Sequence, residues 1–163
     1  IRTRGRLGLK NVLRMKTRGT VVLHHVFDAY EPVVDNLPPQ EPHGSLVATE
    51  SGQSTSYAIA NAQERGELFI GPGVPVYEGM VVGQANQDRD VELNICKQKK
   101  LTNVRSETGD ATIVLAPPRE LTLELALEYL GPDELLEVTP TSLRIRKRIA
   151  DAKLRLRAHR AGS

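Results

Sequence analysis

Residues 35 to 44, DNLPPQEPHG, place three prolines and a glycine in ten positions, and no helix or strand of useful length can cross such a stretch. It reads as a domain boundary, dividing the chain into a short piece, 1–42, and a longer one, 43–163. The 163 residues can hold one sizeable core, or one complete domain and part of another. Ten prolines and thirteen glycines over that length favour short elements joined by turns, and the strands and helices read below make the expected class α/β (α+β).

Before the boundary, TRGRLGLKNVLRMKTRG combines spaced apolar residues with good helix formers, so a helix is expected up to Gly19. GTVVLHHVFDAYEP is β-branched and aromatic, and predicts a strand of about ten residues ending at Pro32. After the boundary, SLVATES, ELFI, MVVGQA, VELNI and ATIVLA read as strands and STSYAIANAQERG as a short helix, while the prolines of GPGVPVYEG demand a rigid loop. In ELTLELALEYLGPDE the leucines alternate like a strand, but Leu, Ala and Glu are helix formers and Gly131-Pro132 is a helix stop. A helix is the better reading, with Leu123, Ala126, Leu127 and Leu130 on one face. ELLEVTPTSLRIRKRI gives two short strands about a TPTS turn, and ADAKLRLRAHR a final helix.

A net charge of +2 conceals strong segregation. Residues 1–27 carry seven Lys or Arg and no acid, and residues 144–163 carry eight against Asp151 alone. Between them, residues 120–137 carry six acids and no base. Two local clusters follow. Lys97, Lys99, Lys100 and Arg105 lie in an acid-free run closed by the turn residues Ser106, Thr108, Gly109 and Asp110, so a basic loop is expected between the VELNI and ATIVLA strands. Such a loop suits a polyanion, and it equally suits a solvated hairpin. In LRIRKR, strand alternation points Leu143 and Ile145 to one side and Arg144, Arg146 and Arg148 to the other, a comb that contacts phosphates unless the acids of 120–137 neutralise it.

Other chemistries find little support. No GxxxxGK[ST] motif occurs, and GPGVPVYEG lacks the lysine of a phosphate cradle. His24 and His25 are adjacent in the expected strand and face opposite ways, His43 and His159 fall in loop or tail, and Cys96 stands alone, so no metal site is expected. Cys96 reads as a buried, inert thiol. Glu124 and Glu128, one helical turn apart, read as a solvated face, and Ser45, Ser51 and Ser54 lack a nucleophile elbow. The aromatics Phe27, Tyr30, Tyr57, Phe69, Tyr77 and Tyr129 are too few for a base-stacking platform, which favours backbone and shape recognition. No window resembles a membrane span or a signal peptide, and a chain opening at Ile1 is expected to be a fragment or a processed product.

Four blocks in order, RGTVVLHHVFDAY, QERGELFIGPGVPVYEGMVVG, KKLTNVR and LTLELALEYLGPDELLEVTPTSLRIRKR, closely resemble the C-terminal part of the TypA/BipA family of ribosome-associated translational GTPases. The resemblance implies that residues 1–42 are the end of a partial, ferredoxin-like domain similar to the fifth domain of elongation factor G, and that 43–163 are the family's special C-terminal domain, an α/β unit with a mixed sheet and short helices. It further implies a cytoplasmic, monomeric arm of a GTPase whose GTP and Mg2+ belong to an N-terminal domain absent from this sequence, leaving no enzyme, cofactor or metal here. The implied partners are the ribosome, large-subunit rRNA and the acceptor end of the A-site tRNA, with no DNA or membrane, in support of ribosome assembly and stress-adapted translation. The candidate RNA contacts are then Lys97, Lys99, Lys100, Asn103 and Arg105 in the loop, and Arg144, Arg146, Lys147 and Arg148 near the end. The alternative is a protein-interaction domain that docks a partner through the acidic, Leu-rich helix 122–130.

Overall fold

A computed structural model describes residues 9, 13, 17, 20–32, 43–98 and 114–161. Two compact units emerge, Ile1–Glu41 and Pro42–Ser163.

In the first unit Leu9 and Leu13 are helical, and the Thr17 hydroxyl donates to Leu13 O at 2.7 Å while accepting from Val21 N at 3.2 Å. A side chain that competes for main-chain partners in this way suits a helix end. The rest of the expected first helix lies outside the described residues. The expected strand at 20–32 does not form: these residues take neither helix nor strand, and Val26 and Tyr30 are 92% and 95% exposed. β-propensity alone cannot hold a strand, whose backbone groups need a partner ladder, and none is present among the described residues.

The second unit is a mixed sheet with helices on both faces. Its strands are β1 (Ser45–Ala48), β3 (Gly66–Leu68), β5 (Met80–Ala85), β6 (Val91–Leu93), β7 (Glu134–Val138) and β8 (Leu143–Lys147), in the order β6-β1-β5-β8-β7 with β3 also paired to β5. The β1–β6 pair is parallel and the other pairs in this sheet are antiparallel. A small ribbon joins β2 (Gly52–Gln53) to β4 (Pro75–Val76), so the loop expected over GPGVPVYEG contributes one short strand. MVVGQA becomes the central strand because an apolar run can be buried on both faces at once. Met80 and Val82 pack with Leu46, Ala58, Ile59 and Ile95, whereas Val81 packs with Ala126, Tyr129 and Ile145.

That alternation puts α1 (Ser56–Gln63) and α2 (Leu123–Tyr129) on opposite faces. Each helix starts at a threonine cap: Thr55 Oγ1 accepts from Ala58 N at 3.1 Å and Thr122 Oγ1 from Leu125 N at 3.2 Å. The helix reading of ELTLELALEYL holds, but its inward side differs from the expected one. Ala126 and Tyr129 are buried, while Leu123 and Leu127 are each 51% exposed. Tyr129 displaces the leucines because its hydroxyl has polar partners inside, at Ser45 Oγ and Gly44 O. α3 (Ala152–Ala161) closes the chain. Among the described residues no helix is long and apolar enough to cross a membrane.

Candidate nucleic-acid interface

The basic segment that begins at Lys97 is held at both roots by α1. Thr55, already the cap of that helix, donates its hydroxyl to Lys97 O at 2.6 Å and its N–H to Ile95 O at 3.1 Å. At the other end of the helix, Gln63 donates to Ala116 O at 2.7 Å and accepts from Ala116 N at 3.2 Å. The eight steps from Thr55 to Gln63 rise about 12 Å, so the two roots are separated by a fixed helical strut. The expected bracing was two strands, and only the first exists in the described residues: β6 covers Val91–Leu93, whereas residues 114–116 form no strand. Reciprocal amide bonds from Gln63 satisfy the backbone at Ala116 that a ladder would otherwise have paired. Lys97 is exposed. Lys99, Lys100, Asn103 and Arg105 lie outside the described residues. Cys96, at the root, is half-buried, not buried as expected; burial, with the nearby Glu50 charge, pushes its thiol up, which keeps it protonated and a poor nucleophile.

The second cluster divides across the two faces of β8. The turn joining β7 to β8 is closed by Thr139 and Ser142, whose hydroxyls lie 2.8 Å apart, and this fixes the register. Glu137 then stands opposite Arg144 and Glu134 opposite Lys147. On the outer face, the Arg146 guanidinium pairs with Glu137 at 2.7 Å, and the same carboxylate accepts from Tyr77 OH at 2.6 Å. Burial first, and then this bond to Glu137, push the Tyr77 hydroxyl well above the usual phenol range. Arg144 shares that face and is half-buried, while Arg148, beyond the strand end, is exposed, its guanidinium making a long 3.4 Å bond to Pro132 O.

Lys147 belongs to the inner face and is a correction to the expected contact set. Its side chain is 3% exposed and its ammonium lies 2.7 Å from Asp90, 3.0 Å from Asp133 and 3.0 Å from Glu134. The physical reason is strand periodicity: residues 143, 145 and 147 share one side, and the cation that follows two apolar positions is carried inside with them. Burial, the largest influence, pulls the ammonium down, but the bond to Asp90 and the charge of Glu134 outweigh it and leave Lys147 above its ordinary value. Glu134 is equally buried and is shared: it accepts from Ser45 Oγ and from Gly131 N at 3.0 Å. Ser45 Oγ in turn meets Tyr129 OH at 2.8 Å, and the Tyr129 ring packs on His43 with centroids 4.1 Å apart. Asp90 and Asp133 are 31% and 42% exposed, so the excess negative charge of the group reaches water.

The sequence reading missed this polar hub and the α1 clamp. Thr55, ahead of an apolar-periodic run, carried a capping signal for α1, but that signal does not reach its bonds to Ile95 and Lys97, some forty positions away. Gln63 carried none. Arg155 was missed as well: it is buried, donating to Ile149 O at 2.8 Å, Ala150 O at 2.5 Å and Glu92 Oε1 at 2.9 Å. Among the described residues no group of His, Cys, Asp and Glu is placed to hold a metal ion.

Residues 43–152, a span that contains the whole sheet, α1 and α2, match the model of the TypA/BipA C-terminal domain. The chain belongs to the TypA/BipA family. Relatives run nearly its full length. It is 47% identical over 154 residues to the large ribosomal subunit assembly factor BipA of Synechocystis, covering 94% of this chain and 26% of that protein. It is 43% identical over 156 residues to the protein of the same name from Bacillus subtilis, covering 96% and 26%. A chloroplastic TypA-like protein of Arabidopsis thaliana is 48% identical over 153 residues, covering 94% and 22%. The chain therefore spans about a quarter of the length of these TypA/BipA relatives. The family match ends at residue 152, where α3 begins.

Proposed function

We propose that this chain is the ribosome-binding C-terminal region of a TypA/BipA translational GTPase, gripping large-subunit rRNA and the acceptor end of the A-site tRNA through its basic segments. The observation that carries the reading is the α1 clamp, which fixes both roots of a segment whose first ten residues, 97–106, are cationic and acid-free, and which leaves Lys97 in solvent. The names of the BipA relatives, as large ribosomal subunit assembly factors, support the choice of partner. On this reading the contacts are Lys97, Lys99, Lys100, Asn103 and Arg105, with Arg144 and Arg148 secondary; Arg146 is half-spent on Glu137, and Lys147 supports the scaffold. GTP and Mg2+ chemistry would belong to the longer protein, acting in the cytoplasm or its plastid equivalent. Residues 1–42 would be the end of the elongation-factor-like fifth domain.

The test is ribosome co-sedimentation of the full-length protein across a salt series. Replacing Lys97, Lys99, Lys100 and Arg105 by Ala is expected to lower binding at least about tenfold near 0.15 M salt and to flatten its salt dependence, since fewer counterions are released. Unchanged binding would reject the loop's role. The exposed Leu123 and Leu127 on α2 favour a second reading, a docking site for a partner protein. That complex would tolerate both salt and ribonuclease, whereas an RNA-held complex would not.

A further inference from the structure

α3 has an inverted arrangement for a surface helix. Among its described side chains the buried one is the cation Arg155, whose guanidinium caps the carbonyls of Ile149 and Ala150 and pairs with Glu92 of β6, while Leu154 and Leu156 are 51% and 53% exposed. Asp151 accepts from Leu154 N at 2.9 Å and closes the first turn. With Arg155 fixed inward, the helical repeat of about 100° per residue sends Lys153, Arg157 and Arg160 to the opposite side, within about 60° of one another. All three are exposed, and the helix contains no acid. Leu154 and Leu156 then fall on the two flanks, roughly 100° from Arg155 in either direction.

We infer that α3 is a separate phosphate-contacting element, presenting Lys153, Arg157 and Arg160 to the backbone of an RNA helix. The inference deepens the RNA-binding reading above and rests on it. The order of residues around the helix selects the occupant. A helix that lies on a membrane puts its leucines in the middle of the buried face with cations at the margins, so that the charges reach the headgroups. Here the cations hold the middle and the leucines the margins, which is the complement of a polyanionic ridge. Burial of Arg155 orients the stripe: three polar bonds from one planar group set the rotation of the helix more tightly than an apolar contact would.

The experiment is fluorescence anisotropy of the intact protein with a labelled RNA duplex of about 16 base pairs, over a salt series. The Lys153→Ala, Arg157→Ala, Arg160→Ala triple variant is expected to bind at least about tenfold more weakly near 0.15 M salt, with a salt slope smaller by about three and an unchanged thermal midpoint. Replacing Leu154 and Leu156 by Ser is expected to leave RNA affinity within about twofold. A triple variant with the parent's affinity and slope overturns the inference, as does loss of binding to phosphatidylglycerol vesicles with RNA binding intact. If the triple variant is unstable, the single variant Lys153→Gln decides: a slope smaller by about one supports α3, and an unchanged slope overturns it. Parent protein that fails to bind RNA at all defeats the broader reading together with this one. Parent binding that the α3 variants leave untouched defeats this one alone.

Discussion

Replacing Lys147 by Met will destabilise the second unit by roughly 3–5 kcal/mol, the cost of leaving a buried carboxylate without its counter-charge. Three carboxylates converge on this ammonium, and Glu134, only 2% exposed, has no access to water in exchange. Urea unfolding measures the loss. Adding Glu134→Gln to the Met variant will recover part of it, because the amide keeps a hydrogen-bonding oxygen for Ser45 and carries no charge. A Met variant with the parent's urea midpoint would mean that Lys147 does not hold the hub. The pH dependence follows the same site. Lys147 is raised above its ordinary value, and Tyr129 is raised well above the phenol range, by burial foremost, against the lowering bond from Ser45 and with the charges of Glu134 and Asp90 added. Groups raised on folding contribute stability that is fully present below their unfolded values, about 10 for both types, and is lost as pH climbs through the folded ones. Stability will therefore fall on the alkaline side, and the Met variant will show a shallower alkaline decline than its parent.

Gly79→Ala will cost about 2–4 kcal/mol, the sum of left-handed backbone strain and a steric displacement. Gly79 has φ +82°, and an added Cβ would lie 2.6 Å from Ala150 Cα and 2.9 Å from Ala150 Cβ. Gly79 itself cannot shift away freely. Gly79 N donates to Ala48 O and Gly79 O accepts from Lys147 N, both at 2.8 Å, so the turn is tied to β1 and to the strand that carries the buried lysine. Gly71→Ala is the matched control, since its Cβ would meet nothing within 4 Å, and it is expected to stay within about 0.5 kcal/mol. Equal urea midpoints for the two alanine variants would contradict the role given to Gly79.

Much of the fold was legible because local pattern and tertiary need agree. MVVGQA forms a strand from Met80 to Ala85, and capping signals at Thr55 and Thr122 precede the two sandwiching helices. The failures have distinct causes. GTVVLHHVFDAY has strand composition, yet a strand exists only when a second ladder is available. On α2 the choice between Leu127 and Tyr129 was decided by polar partners supplied by Ser45 and Gly44, which are distant in sequence. Lys147 was within reach of the sequence: the alternation that separates Leu143 and Ile145 from Arg144 and Arg146 already places it on the inner face. Arg155 was not, because its acceptors include Glu92, 63 positions earlier in the chain. The corrected picture moves outward-facing charge away from β8 and toward Lys97 and α3.

The central claim is a division of labour among the cations, with Lys147 internal and Lys97 and Lys153 facing a polyanion. Acetylation by an amine-reactive reagent, read residue by residue by mass spectrometry with and without rRNA, tests it on one sample. Lys97 and Lys153 should be modified in the free protein and protected by RNA, while Lys147 should resist modification in both states as long as the fold is intact. Modification of Lys147 at the rate of Lys97, or exposed lysines that RNA fails to protect, would contradict the account.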